Sequence, residues 1–329
     1  MKKIAVIGGG SWATALVKIL SNNVDEINWW VRNEETVEFI KRYHHNPNYL
    51  SDVEFNLDIV KPSADLNLVI ASADYIVLAI PAAFLKRSIE KLSADLLKDK
   101  IIFSAIKGIV PEYNLIVGDY LHAQLAVSYA NIGVITGPCH AEEVALEKLS
   151  YLTIASTDLQ HANHLASLLS CRYIRTKTSD DIFGTEYSAV LKNVMAIASG
   201  ICHGLGYGDN FQSVLISSGI REISRFVQAV HPIQRDINDS AYLGDLLVTC
   251  YSQFSRNRTF GSMLGKGYSV KSAQLEMNMI AEGYYAIACI HEINKKYKVE
   301  MPISEAVFNI CYEKITPRIE MKLLTERLD

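Results

Sequence analysis

Short, unbroken apolar runs alternate with amphipathic stretches through the first half of the chain. Ile4 to Ile7, Ile27 to Val31, Tyr75 to Ile80, Ile101 to Ala105, Ile132 to Ile135 and Leu152 to Ala155 each read as a strand. Strands that are apolar throughout are buried on both sides, so with helices between them they predict a parallel sheet covered on both faces. A helix is expected from about Trp12 to Leu20, directly after the first strand. From about Ser179 the strand pattern stops, and the remainder reads as helices with loops at Gly204 to Asn210, His231 to Leu243 and Gly265 to Tyr268. The expected architecture is an α/β domain over residues 1–178, with a doubly wound parallel sheet, followed by an all-helical substrate and catalytic domain over 179–329.

One predicted helix holds a residue out of place. Between Glu186 and Ile201, an apolar stripe of Tyr187, Val190, Leu191, Val194, Ala198 and Ile201 follows the i, i+3, i+4 spacing. The opposite side is not a charged, solvated face. It carries Ser188, Ala189, Lys192, Ala196 and Ser199, small residues with a single ammonium among them. A helix that is apolar or small all round is a buried helix. A lysine inside one needs a carboxylate, a bound anion or a shifted pKa, and all three occur at active sites. The plainer alternative is a side chain that snorkels along a half-exposed face.

Composition narrows the class. A chain of 329 residues, 49% hydrophobic and 21% charged, fits a soluble protein of two domains. A net charge of −4 argues against a general nucleic-acid binder. The six cysteines include no C-x-x-C pair, which fits reduced thiols better than a disulfide or zinc framework, so no metal is expected. The apolar run after Met1-Lys2-Lys3 is too short for a signal peptide, and no stretch is long enough to span a membrane. A cytoplasmic enzyme is the expectation.

The chemistry begins at Gly8-Gly9-Gly10-Ser11-Trp12-Ala13, a G-x-G-x-x-A loop between the first strand and its helix. Gly8 makes the tight turn, Gly10 lets backbone approach a pyrophosphate, and the third small residue lets helix and strand pack closely. The helix N-terminus adds N–H donors and a positive dipole. In this context the loop predicts a Rossmann-like dinucleotide site. The second strand ends at Arg32 in place of the usual carboxylate. An arginine there accepts a 2′-phosphate, so NADP(H) is favoured and NAD(H) stays open.

Further candidates sit after later strands and in the helical half. Lys107 lies in Ser104-Ala105-Ile106-Lys107-Gly108, just past a strand, and Gly137-Pro138-Cys139-His140-Ala141 follows another. Ligands of doubly wound domains bind at those carboxyl ends. His140, beside Pro and Cys, reads as structural. Asp245 opens an apolar helix, where it is either a functional carboxylate or an acid favoured by the dipole. Ser255-Arg256-Asn257-Arg258-Thr259 gathers anion donors, and arginine forks onto phosphate oxygens in a bidentate way.

These pieces together resemble one family. Over almost its whole length the chain is similar to the soluble NAD(P)-dependent sn-glycerol-3-phosphate dehydrogenases of bacterial type. The matching motifs are G-G-G-S-W-A-T-A-L at 8–16, A-I-K-G-I at 105–109, G-P-C-H-A-E-E-V-A at 137–145, L-K-N-V-M-A-I-A-S-G-I-C-H-G-L-G-Y-G-D-N at 191–210, L-G-D-L-L-V-T-C at 243–250, S-R-N-R-T-F-G at 255–261 and A-E-G-Y at 281–284. The resemblance implies reduction of dihydroxyacetone phosphate to sn-glycerol 3-phosphate, a precursor of glycerophospholipids. It implies that Lys192 is the acid/base and that Lys107 touches cofactor and substrate. It implies substrate contacts at Gly137, Cys139, Asp245, Ser255, Arg256 and Asn257. Cofactor contacts follow at Ser11, Trp12, Arg32, Ala141, Arg256, Ile280 and Glu282. A homodimer with a small phosphorylated substrate, no nucleic acid and no membrane span is the expected assembly. The chain departs from the family pattern at Ala13, usually Gly, and at Cys139, where Ser or Thr supplies a hydroxyl. It departs also in Ser240-Ala241-Tyr242-Leu243, which lacks most of the family's glycines. Two other readings remain beside this one: a two-domain dehydrogenase of another small hydroxy acid, and a non-catalytic nucleotide-sensing protein.

Overall fold

A computed structural model describes residues 3–90, 92, 94–277 and 280–328. The chain forms two compact units. One is Met1–Ile106 with Val117–Ile182, and the other is Lys107–Ile116 with Phe183–Asp329.

The first unit is built on an eight-stranded sheet. Its strands are β1 (Ile4–Ile7), β2 (Ile27–Trp30), β3 (Val60–Ser63), β4 (Tyr75–Leu78) and β5 (Ile101–Ser104), and later in the chain β8 (Ile132–Thr136), β9 (Ser150–Ser156) and β10 (Ile174–Ser179). A separate hairpin, β6 (Ile109–Val110) and β7 (Leu115–Ile116), lies in the other unit. The strand order is β10-β9-β8-β5-β4-β1-β2-β3. β1, β4, β5 and β8 are buried along their whole length, as continuous apolar strands between helical layers must be.

Within this sheet the described pairings are parallel except β8 with β9, which run antiparallel with Gly133 opposite Ser156. The chain leaves the carboxyl end of β8 and enters β9 through Gly137 to Leu149. That segment holds only the five-residue helix Ala141–Ala145 and brings the chain back at the same end. β9 and β10 therefore run opposite to the rest, and the sheet is mostly rather than wholly parallel. β3 and β10 are the edges. Their patterns show it: Pro62 interrupts one, and exposed Arg175 and Lys177 alternate along the other, as suits strands with one unpaired side. The order reverses direction at β1, which places the switch point at the carboxyl end of that strand.

The second unit is helical around one central helix, Ile182–Gly204, in which every residue from 184 to 202 is buried. Helices Asp209–Val230, Asp245–Tyr251, Arg256–Gly265, Glu282–Tyr297 and Pro302–Cys311 supply its surroundings, and their apolar faces share one core with Ile109 and Ile116 of the hairpin. All six cysteines are free thiols. Among the described residues no helix is long and apolar enough to cross a membrane.

Candidate active site

The glycine loop after β1 lies at the switch point. Gly8 has φ of +141°, and a Cβ there would stand 2.3 Å from the carbonyl oxygen of Ala79, so only glycine fits. Gly10 is the N-cap of helix Ser11–Leu20, and no atom lies within 4 Å of the place its Cβ would take. That gap at a helix N-terminus matches the approach a pyrophosphate needs. Ser11 and Ala13 are buried in the first turn of that helix. Arg32 is exposed just past β2, and Asn33 caps the next helix, Glu34–Tyr43, accepting from Glu35 N at 2.8 Å. The loop after β8 holds Gly137 at φ of +115°, then buried Cys139, then Ala141 as the first residue of its short helix. His140 is the N-cap of that helix.

In the second unit, three predicted residues meet. Lys192 does not snorkel: it is 3% exposed, and its ammonium donates to Asp245 Oδ1. Lys107, three residues past β5, sits 3.5 Å from the other oxygen of the same carboxylate. One buried carboxylate thus faces two ammonium groups. Burial pushes the Lys192 ammonium down from its ordinary 10.5, with Lys107 pushing the same way and Asp245 pulling back, and the balance leaves it at about 7. An amine held there exchanges a proton readily near neutral pH.

The local fold that aims these groups is specific. A π turn over Ser240–Gly244 leads into helix Asp245–Tyr251, with Gly244 N–H donating to Asp239 O and Asp245 N–H to Ser240 O, each five residues back. This wide turn is formed by the segment that departs from the family's glycine pattern, and it hands Asp245 over as the first residue of the helix. Inserted π turns recur at functional positions.

The anion-donor cluster forms the start of helix Arg256–Gly265. Ser255 is its N-cap and accepts from Arg258 N at 3.3 Å. Asn257 is buried, and its Oδ1 accepts from Gly283 N at 2.9 Å, which ties the start of helix Glu282–Tyr297, with Ile280 and Glu282 beside it, to the cluster. A pair of glycines on each of two helices sets where this cluster lies. A Cβ on Gly200 would be 2.0 Å from Arg258 O, and one on Gly204 2.3 Å from Ser262 O. Reciprocally, a Cβ on Gly261 would be 2.0 Å from Ile197 O, and one on Gly265 2.3 Å from Ile201 O. The helices run parallel with their main chains in contact, so Lys192 and the Ser255–Asn257 cap lie toward the same ends of the pair.

Comparison with known proteins decides the family. Residues 3–162 match the model described as NAD-dependent glycerol-3-phosphate dehydrogenase N-terminus, and residues 181–322 match the corresponding C-terminus. A protein of Oceanobacillus iheyensis named Glycerol-3-phosphate dehydrogenase [NAD(P)+] is 35% identical over 99% of this chain and 94% of its own. The chain belongs to the NAD-dependent glycerol-3-phosphate dehydrogenase family. A family member of the same name from Bacillus subtilis is 33% identical over 97% of this chain and 93% of its own. The crystal structure of glycerol-3-phosphate dehydrogenase from Coxiella burnetii superposes with a TM-score of 0.92 at 30% identity, covering 99% of both chains. A ketopantoate reductase from Ralstonia eutropha shares the fold at a TM-score of 0.63 and 14% identity, covering 98% of this chain and 99% of its own. The fold alone therefore does not separate this family from keto-acid reductases.

Two residues beside the cluster of Lys192, Asp245 and Lys107 went unread in the sequence. Asn193 Nδ2 donates to Lys107 O at 2.8 Å, and Thr249 Oγ1 donates to Asp245 O at 2.6 Å. Both hold the main chain of a charged neighbour. The signal available for Asn193 was its polarity on an otherwise buried helix, the same signal that exposed Lys192.

Proposed function

We propose that this chain catalyses the NAD(P)H-dependent, reversible reduction of dihydroxyacetone phosphate to sn-glycerol 3-phosphate. The observation that carries the reading is a buried lysine poised near neutral pH in the same unit as a capped helix start bearing Ser255, Arg256 and Asn257. A ketone needs a proton as it is reduced, and a phosphate needs anion donors.

The nicotinamide supplies the hydride, and the rest falls to the chain. Gly8, Gly10, Ser11 and Trp12 seat the pyrophosphate, Arg32 faces the adenosine ribose, and Ala141, Arg256, Ile280 and Glu282 complete the nucleotide contacts. Ser255, Arg256 and Asn257 hold the substrate phosphate, with Gly137 and Cys139 contributing further contacts. Cys139 offers a thiol, a weaker hydrogen-bond partner than the hydroxyl usual in the family. As the carbonyl oxygen gains charge, Lys192 delivers a proton to it, and it withdraws that proton in the reverse direction. Lys107 stabilises the developing alkoxide and reaches the cofactor. Asp245 orients Lys192 and sets its proton affinity. The domain of residues 179–329 carries the substrate and the acid/base chemistry, with Lys107 added to it.

In the cell this activity feeds glycerophospholipid synthesis in the cytoplasm, from a homodimer. Arg32 favours NADP(H), with NAD(H) also accepted. One assay tests the reading: oxidation of NADPH and of NADH, followed by absorbance, with dihydroxyacetone phosphate and with a panel of 2-keto acids. Turnover confined to the phosphorylated ketone is expected. Turnover only with a keto acid, or nucleotide binding with no turnover, overturns it.

A further inference from the structure

The carbonyls of the glycine loop are held from behind by buried side chains. Trp29 Nε1–H donates to Gly8 O at 2.6 Å, and Asn46 Nδ2–H donates to Gly9 O at 3.1 Å. The second hydrogen of the Asn46 amide goes to Thr14 Oγ1 at 2.9 Å, and that hydroxyl donates to Gly10 O at 2.9 Å. Asn46 Oδ1 accepts from Asn48 N at 3.0 Å, so both donors and the carbonyl of the amide are engaged. Trp29, Asn46 and Thr14 are fully buried. They come from three places: β2, the loop after helix Glu34–Tyr43, and the helix that follows the glycines.

The geometry of the peptide bond gives these contacts a consequence. Each peptide is planar and trans, so the C=O of one residue and the N–H of the next point in opposite directions, and no cis bond occurs here. A Gly8 carbonyl held by Trp29 turns the Gly9 N–H the other way. Asn46 does the same for the Gly10 N–H, and Thr14 for the Ser11 N–H. Those N–H groups are what a pyrophosphate meets at a helix start. Glycine peptides rotate with little steric cost, and a flipped plane would aim a carbonyl oxygen at the phosphates. A loop fixed before binding does not spend ligand affinity on being ordered.

We propose that Trp29 and Asn46 are positioning residues for the dinucleotide, holding the Gly8–Gly9 and Gly9–Gly10 peptides in the orientation that presents N–H groups to its pyrophosphate. The inference rests on the nucleotide reading of this loop. Purely structural hydrogen bonds would stabilise the fold and leave nucleotide affinity alone, and that difference is measurable.

Two variants of the full chain test it. Trp29→Phe removes one N–H and keeps an aromatic ring in T-shaped contact with Phe55, whose centroid lies 5.1 Å away. Asn46→Asp keeps the acceptor for Asn48 and replaces the two donors with an oxygen facing Gly9 O. NADPH fluorescence titration measures Kd, and a thermal melt measures stability. Trp29→Phe is expected to raise the Kd about fivefold, the factor set by the net contribution of one hydrogen bond, and Asn46→Asp about tenfold or more. The KM for NADPH rises with it, and the KM for dihydroxyacetone phosphate does not. A Kd within about twofold of wild type in the folded variants, whatever the melt shows, overturns the proposal. If Asn46→Asp does not fold, Trp29→Phe decides alone. Failure of the wild-type protein to bind NADPH would instead remove the nucleotide reading itself.

Discussion

The ammonium of Lys192 is bonded to the carboxylate of Asp245, and both are nearly out of solvent, with side chains 4% and 1% exposed. Lys107, on the other carboxylate oxygen, is 21% exposed. One anion therefore serves two cations of unequal burial, and burial pushes the proton affinity of Lys192 down. Removing one member of a buried pair typically costs about 3–5 kcal/mol. Variants here are best read by keeping a folding control beside the kinetics.

Lys192→Met keeps the length and apolar stem of the side chain and deletes its proton. Turnover of dihydroxyacetone phosphate is expected to fall by about 10²–10⁴-fold, the range for loss of a general acid. NADPH fluorescence titration on the same variant returns a near-normal Kd. Turnover close to wild type would remove Lys192 from the proton transfer.

The pH profile follows from the same residue. With Lys192 as the acid, reduction needs it protonated, so kcat for dihydroxyacetone phosphate is expected to decline as pH rises through about 7, and oxidation of glycerol 3-phosphate to climb over the same interval. Asp245→Asn removes the carboxylate that raises the Lys192 pKa, so the reductive limb moves to lower pH. A limb that stays put, or moves to higher pH, contradicts the arrangement.

Folding stability carries a matching signature. The unfolded chain keeps this lysine protonated up to about 10.5, whereas the folded protein releases the proton above about 7. Between those values the unfolded state binds more protons, so stability rises with pH. Below about 7 both states are charged and the full burial penalty is present. Urea melts at pH 6.5 and 9.5 should show wild type gaining on Lys192→Met at the higher pH, and no relative gain rules out the depressed lysine.

Arg256→Ala is expected to raise KM for dihydroxyacetone phosphate by about ten- to a hundredfold, the range for a lost charged hydrogen bond. The penalty vanishes with dihydroxyacetone, which has no phosphate to hold. Arg256→Lys recovers charge but not the fork, and falls between. Equal losses on both substrates would mean that Arg256 does not grip the phosphate.

Two glycines make opposite predictions under the same substitution. Gly261→Ala drives a methyl group into the carbonyl of Ile197, and overpacking of this kind costs about 1–3 kcal/mol, visible in a thermal melt. Gly10→Ala meets no atom within 4 Å, so the melt changes little while NADPH binding weakens. If Gly10→Ala binds NADPH normally, the space beside the helix start is not the nucleotide's.

Much of the fold was legible because its central strands have no polar face. β1, β2, β4, β5, β8 and β9 were all readable as apolar runs. β3 and β10 were not, since Pro62 and the alternating Arg175 and Lys177 belong to edges, where one side of the strand is released from pairing and burial. Nor does any local pattern announce that β9 runs backwards or that Ser240–Gly244 winds as a π turn, because both depend on where the chain must arrive next. Lys192 was legible as a charge on a helix buried all round. Asn193, Trp29 and Asn46 were not, because each acts on a main-chain carbonyl, 86, 21 and 37 residues away respectively. A carbonyl leaves no letter in the sequence to pair with.

The four-glycine crossing of the helices bearing Lys192 and Arg256 has a consequence for what the enzyme accepts. Where peptide rests on peptide there is no further room to close up, and every replacement larger than glycine can only push outward. Drift in the surrounding apolar core can change how firmly the helices are clasped without changing their offset. On the reading that Lys192 gives the proton and Ser255–Asn257 seat the phosphate, the interval between them is then a fixed gauge, expected to select phosphorylated ketones by the number of carbons between carbonyl and phosphate.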